Sequence, residues 1–283
     1  MRALYDVPAP AKLNTFLHIT GRRADGYHLL QSVFLLIDWQ DRLHFELRAD
    51  ATIARHDLGS ALPPDDLILR AARALQAATG CGLGADIHIE KSIPAQAGMG
   101  GGSSDAASTL LALNRLWNLG LSTQQLSRIG LTLGADVPFF LCGHNAWVEG
   151  IGELITPLHD AALAGQDIVV AKPQAGLDTK SIFSHPSLKR DSERATISVF
   201  ADKHFDFGRN DLQPVAEGLC PEIKKTINWF ESQGLHARMT GSGSAVFAVK
   251  RQDQSHTVGQ APDWIVRDCK SLAEHPLRGW SAD

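Results

Sequence analysis

Cysteine is scarce in this chain of 283 residues: there are four, at positions 81, 142, 220 and 269, and no two stand close enough for a metal knuckle or a redox pair. That excludes a disulfide scaffold and leaves reduced core thiols as the expectation. A basic excess is missing too. Lys and Arg number 27 against 31 Asp and Glu, a net charge of −4, which runs against the electrostatic footprint of a nucleic-acid binder. The longest uncharged apolar stretches, such as 32–37 and 137–142, fall far short of the roughly 18 residues needed to span a bilayer. The opening MRALYDVPAP has neither the apolar segment of a secretory signal nor a twin arginine, so a cytoplasmic protein without membrane contact is expected. The chain shows no internal repeat and no low-complexity tract. Tyrosine occurs only twice, and the 12 histidines are scattered, without HExxH or any other metal-ligand spacing.

What the sequence has is a normal globular composition, 44% hydrophobic and 20% charged, in a length that suits about two domains. Strand-like alternation runs through Lys12–Ile19, with Lys12 and Asn14 on one face, and recurs at Leu43–Leu47 and around Ile87 and Ile89. Pro63-Pro64-Asp65-Asp66 opens a helix carrying Leu67, Ile68, Ala71, Ala72 and Leu75, and Gly80 closes it. A long helix is expected from Ser103 or Ser104 to Gly120, and another from the capping box of Ser122 and Gln125 to Gly134. A second unit starts near residue 155, with a strand at 167–173, a helix at 221–233 ended by Gly234, and two short strands within 238–250 around a glycine-serine turn. The polar run 187–196 reads as a mobile surface segment. This mixture, without strict βαβ alternation, predicts an α+β fold divided into 1–155 and 156–283.

The strongest chemical signal is Pro94-Ala95-Gln96-Ala97-Gly98-Met99-Gly100-Gly101-Gly102-Ser103-Ser104. Four glycines in five positions free the backbone to turn several N–H groups toward one point, and a helix follows. Free donors, the positive end of a helix dipole and no obstructing side chains make an anion site. The loop is not GxxxxGK[ST], because no Lys follows its last glycine. Nor is it a dinucleotide fingerprint, because the acidic residue expected about 20 positions on is missing. Its positive charge must therefore come from a metal or from a lysine distant in sequence. Asp136, after Gly134-Ala135 and before Pro138, reads locally as a helix N-cap, and Lys12 as a charge on a solvated strand face.

Pro10-Ala11-Lys12-Leu13-Asn14, the glycine loop and Thr240-Gly241-Ser242-Gly243-Ser244 together resemble the three motifs of the GHMP kinase superfamily. Segments 21–28, 131–138 and 149–153 extend the similarity, which covers about residues 8–250 and points to the branch acting on 4-diphosphocytidyl-2-C-methyl-D-erythritol. The resemblance implies an N-terminal domain like ribosomal protein S5 domain 2 packed on a ferredoxin-like C-terminal domain, with ATP and Mg²⁺ as cofactors. It implies transfer of the γ-phosphoryl to the substrate 2-hydroxyl, with Asp136 as catalytic base and Lys12 as its partner. It places the nucleotide among Asp66, Lys91, residues 94–104 and Asp105, with Ser104 in reach of the metal. Asn14, Tyr27, His28, Thr179, Phe183, Thr240, Gly241, Ser242 and Gly243 are implied on the substrate side. There Tyr27 and Phe183 would stack on cytosine and His28 would hydrogen-bond it, while N–H groups of 242–244 would face the diphosphate. The expected protein is a monomer or weak homodimer with a small-molecule substrate. The chain departs from the family at Asp66 and Asp105, where asparagine is usual, and at Gln96 and Met99, where Gly and Leu are commoner. Beyond Lys250 the similarity is weak, and Gly259 and Pro262 interrupt the helix expected there. The alternatives are another superfamily kinase, for homoserine, mevalonate or a sugar, and a non-catalytic RNA-binding module.

Overall fold

The computed structural model describes residues 1–250 and 263–283, so Gly259 and Pro262 lie outside the described residues. Two long strands dominate: β1, Ala3–Arg22, and β2, His28–Arg48, antiparallel along their whole length. The alternation at 12–19 and 43–47 marks only segments of them. Four register shifts, including one between Asn14 and Leu17, bend β1 and break strict alternation, so Phe16 and Leu17 are both buried. Beside β2 lie β4 (Gly84–Glu90) and then β3 (Ile53–Asp57), parallel to β4; on its other side come β5 (Ala146–Glu149) and β6 (Leu154–Pro157). The sequence gives no sign of β3. The expected domain boundary at 155 falls inside β6, which belongs to this first sheet.

One face of the sheet is covered by α1 (Leu67–Thr79), α2 (Gly101–Leu116), α3 (Thr123–Leu131) and α4 (Val137–Cys142), whose Ile68, Leu75, Leu110 and Phe139 meet Phe45 and Ile87 in one core. Asp66 caps α1, Gly80 ends it in the left-handed conformation, and Ser122 and Gln125 form the capping box of α3. Several helix ends differ from expectation: α2 stops at Leu116, short of Gly120, the helix expected over 221–233 stops at Glu231, and two further ends have a visible cause. α2 starts two residues early because Gly100, at φ 71°, makes the turn that serines would otherwise cap. α3 stops at Leu131, where the Leu133 and Gly134 N–H groups both turn back to the Gly130 carbonyl.

The second half holds a four-stranded antiparallel sheet of β7 (Asp167–Lys172), β8 (Ala237–Met239), β9 (Val246–Val249) and β10 (Ile265–Lys270), in the order β10-β7-β9-β8. The helices α5 (Thr179–Ser184), α6 (Ile197–Ala201), α7 (Gln213–Leu219) and α8 (Pro221–Glu231) complete this half. The segment 187–196 is not a loose surface run. Leu188 and Ser192 are buried, and Ser192 donates its N–H to Ile19 and its hydroxyl to Asp211. Residues 271–283 leave the second half and return to the first: Leu272 donates to Leu36, His275 to Gly143 and Ala282 to Leu121, while Leu277 enters the first core. A division at 155/156 therefore misassigns the tail. Among the described residues no helix is long and apolar enough to cross a membrane.

Candidate active site

The glycine loop is held from both sides through its backbone. The Lys12 N–H donates to the Met99 carbonyl at 2.9 Å, and on the opposite side Ser244 and Ala245 donate to Gln96 and Ala97. Gly98 has φ 72°, and a Cβ there would lie 2.3 Å from the Thr240 carbonyl oxygen; one on Gly241 would lie 2.7 Å from that of Gly98. The two glycine-rich loops touch backbone to backbone, which any side chain would prevent. Because α2 begins at Gly101, the N–H groups of Gly101, Gly102 and Ser103 have no intrahelical acceptor and form the donor end of a 16-residue helix. They open on a cavity of about 490 Å³ whose walls include Asp66, Lys91, Pro94, Gly100 and Ser242.

Lys91 is the distant lysine the loop lacks. Its Nζ lies 3.5 Å from where a Gly101 Cβ would stand, and it binds Asp41 and, at 2.6 Å, Asp105. Burial pulls the ammonium down, but Asp105 and Asp41 outweigh it and leave its pKa raised. Asp105 is pushed up to about 8 by burial, with Lys91 opposing and Asp41 adding to the rise. Asp66 is similarly committed, accepting from Leu69 N–H and from Arg55 at 2.9 Å. Both departures from the family's asparagines are thus held within the protein. Ser104 does not reach the cavity: it is fully buried and its hydroxyl donates to Pro10. Ser103 remains accessible, its hydroxyl facing Gly134.

Lys12 is buried, not solvated. Its Nζ donates to Asn14 Oδ1 at 2.5 Å, lies 3.7 Å from Asp136 Oδ2 and sits 4.4 Å from the centre of the Phe34 ring. Burial lowers the lysine pKa and Asp136 opposes that shift. Asp136 occupies the N-cap position of α4, yet its carboxylate makes no capping bond. About a third of that side chain remains exposed, whereas Lys12 shows 5%. Asn14 is bonded inside the protein: its oxygen accepts from Lys12, its amide donates to Ser32, and its backbone N–H goes to Thr240 Oγ1. It orients Lys12 rather than lining a cavity. Thr240 is likewise fully buried, a brace between β1 and the loop.

A second cavity, of about 640 Å³, is lined by Tyr27, His28, Ile151, Thr179 and Phe183 among others. Tyr27 is 60% exposed at its mouth, and the His28 and Phe183 rings lie 5.1 Å apart. Thr179 belongs to both cavities, and its hydroxyl meets that of Ser242 at 2.7 Å. The pair of Lys12 and Asp136 lies between them. Lys12 Cγ is 3.2 Å from where a Gly100 Cβ would stand, and Asp136 Oδ1 is 3.7 Å from the same point on Gly152, next to Ile151. The third motif contributes less than expected to the substrate side. The Gly243 and Ser244 N–H groups are consumed by Thr240 and Gln96, so Ser242 alone of 242–244 keeps a candidate N–H.

Comparison with known proteins gives the family. The family description "GHMP kinases N terminal domain" matches residues 66–144, and "GHMP kinases C terminal" matches 192–261. The chain belongs to the GHMP kinase family. As a GHMP kinase it is an ATP-using phosphotransferase, and the RNA-binding alternative falls away. Curated relatives named 4-diphosphocytidyl-2-C-methyl-D-erythritol kinase are similar over nearly their whole length. That of Paracidovorax citrulli is 66% identical, covering 100% of this chain and 99% of its own, and that of Acidovorax ebreus is 66% identical with 99% of each covered. A crystal structure of 4-(cytidine 5'-diphospho)-2C-methyl-D-erythritol kinase superposes with a TM-score of 0.78 at 30% identity, covering 94% of this chain and 98% of that one. A homoserine kinase from Cytophaga hutchinsonii, with a TM-score of 0.69 at 14% identity, shares the fold.

Several groups of this GHMP kinase were not visible in its sequence: Asp41, Phe34, Ser32 and Arg190, which donates to His28. None sits in a segment that the sequence marks as part of a site, and each meets its partner only through tertiary folding.

Proposed function

We propose that the protein transfers the γ-phosphoryl group of ATP to the 2-hydroxyl of 4-diphosphocytidyl-2-C-methyl-D-erythritol. The observation that carries this reading is a carboxylate at a helix N-cap that caps nothing and faces a buried lysine 3.7 Å away, between two cavities. Asp136 accepts the proton of the attacking hydroxyl, and the Lys12 ammonium, held by Asn14, draws the reacting oxygens together. The N–H groups at the start of α2 bind the triphosphate, with Lys91, whose charge Asp41 and Asp105 already balance, as a hydrogen-bond donor in the cavity wall. The cytidyl base enters the second cavity between Tyr27 and Phe183, with His28 at its edge. The names of the relatives support this substrate, as does a cavity lined by Tyr27, His28 and Phe183, whose aromatic rings homoserine or mevalonate would not use.

Among the described residues no three His, Cys, Asp or Glu side chains converge as a metal cage. The Ser103 hydroxyl, at the start of α2, would fit a Mg²⁺ that keeps phosphate and water oxygens as most of its ligands. Bound with ATP, such an ion would offset charge on the transferring phosphoryl group.

The test is ADP release with ATP, Mg²⁺ and the cytidyl substrate, beside Asp136→Asn, with phosphorus NMR to locate the new phosphate. Wild-type turnover with a loss of roughly 10²-fold or more in the variant is expected. A fully active variant would remove Asp136 from the proton transfer. Turnover of homoserine or mevalonate in place of the cytidyl compound would leave the family standing and overturn the substrate.

A further inference from the structure

Arg190 lies in the segment 187–196, which has no regular structure, yet its guanidinium makes four hydrogen bonds from its five N–H groups. Nε donates to His28 Nε2 at 3.0 Å, one terminal nitrogen donates to the Leu188 carbonyl, and the other to the carbonyls of Phe183 and His185. An arginine has donors and no acceptor. The His28 Nε2 must therefore present a lone pair, which makes the ring neutral and puts its single proton on Nδ1. Among the described residues that Nδ1 has no hydrogen-bond partner, and His28 lines the aromatic cavity. The same guanidinium holds the C-terminal end of α5, the helix that carries Phe183, whose ring rests against His28.

The geometry points to Arg190 as a positioning residue for base recognition: it locks His28 in the Nδ1–H tautomer, so that the cavity presents one fixed ring donor to a pyrimidine. This rests on the cytidyl reading given above. Cytosine offers an unprotonated N3 that accepts from such a donor, whereas uracil carries a proton at N3 and opposes it. A buried donor left facing another donor is the situation in which hydrogen-bonding sites discriminate best. Burial, with Arg190 and Arg22 nearby, also lowers the His28 pKa, in keeping with a ring that stays neutral. Asp25 is the carboxylate at the same cavity; it pairs with Arg23 at 2.7 Å, and among the described residues no ion pair joins it to His28.

The experiment combines ¹⁵N NMR of the histidine ring with kinetics on the cytidyl substrate and its uridyl analogue, in wild type, Arg190→Met and Arg190→Lys. Wild type should show a protonated Nδ1 and an unprotonated Nε2 from pH 6 to 8. In Arg190→Met the ring should titrate or exchange tautomers, KM for the cytidyl compound should rise about tenfold with kcat within about twofold, and the preference over the uridyl analogue should shrink. Arg190→Lys, which retains a cationic donor, should recover part of both. A wild-type ring protonated at Nε2 would overturn the proposal. So would an Arg190→Met enzyme that loses affinity while tautomer and base preference stay unchanged, because that is what a merely structural arginine would give. If wild type ignores the cytidyl compound while His28 is found as Nδ1–H, the substrate reading has failed and the lock has not.

Discussion

Two aspartates of the candidate site are held differently, by what their oxygens touch. Asp136 faces Lys12 with a third of its side chain in water, while Asp105 is 3% exposed, with one oxygen on Lys91 and the other without a partner. Asp41 competes for the same ammonium and is better supplied, since it also accepts the N–H groups of Ser92 and Ile93. One lysine cannot compensate two buried carboxylates, so the less satisfied one keeps its proton, and Asp105 titrates at about 8. The folded pKa stands above the unfolded value, so the native state binds the extra proton between about pH 4 and 8 and stability falls as pH rises through that window. Asp105→Asn keeps the shape, restores the amide usual in the family and removes the titration. It should stabilise the protein at pH 8 by about 1–3 kcal/mol and flatten the loss of melting temperature between pH 6 and 8. Equal slopes in both proteins would mean that Asp105 is ionised throughout. The sequence marked Asp105 as unusual, but its burial beside Asp41 belongs to residues 64 positions apart.

At the scale of elements, two loops share one steric constraint. The glycine run and the amphipathic helix after it were legible because both are local patterns. The 240–244 loop pressing on Gly98 was not, since 142 positions separate that glycine from Thr240. The early start of α2 follows from the same packing: Lys12 and Phe140 crowd Gly100, where a Cβ would meet them at 3.1–3.2 Å, and only a left-handed glycine passes. Gly98→Ala should therefore push the loops apart and raise KM for ATP tenfold or more, on the scale of a misplaced binding group. Gly80→Ala provides the control. Gly80 has φ 66° and nothing within 4 Å of an added Cβ, so only backbone strain of about 1 kcal/mol is expected, with KM for ATP unchanged. If both variants lose ATP affinity alike, close approach of the two loops is not what places the phosphate site.

Across the whole molecule, β1 is the common thread. Val7 and Ala9 enter the first core, Ala11, Leu13 and Phe16 the second, and Leu17 and Ile19 the third, so one strand belongs to both halves. Such a strand reads in sequence as ordinary alternation, and which core takes each residue is decided by bulges that no local pattern announces. The tail is a second tie and was equally hidden, because 271–283 carries no periodicity that points back to the first sheet. His275 reports on that tie. It is 1% exposed, its Nδ1 accepts the Leu277 N–H at 3.1 Å, its Nε2 is buried without a partner, and burial lowers its pKa to about 4. Released into water the ring would take a proton near pH 6.5. Between those values the unfolded chain binds more protons than the folded one, so acid withdraws stability progressively, to about 3 kcal/mol by pH 4. His275→Asn leaves an oxygen to accept from Leu277 and nothing to titrate. The difference between its urea midpoints at pH 7.5 and 4.5 should be smaller than in wild type by that amount divided by the denaturant slope. Identical differences would mean that His275 is open to water in the native state, and that the tail does not hold the two halves as one cooperative unit.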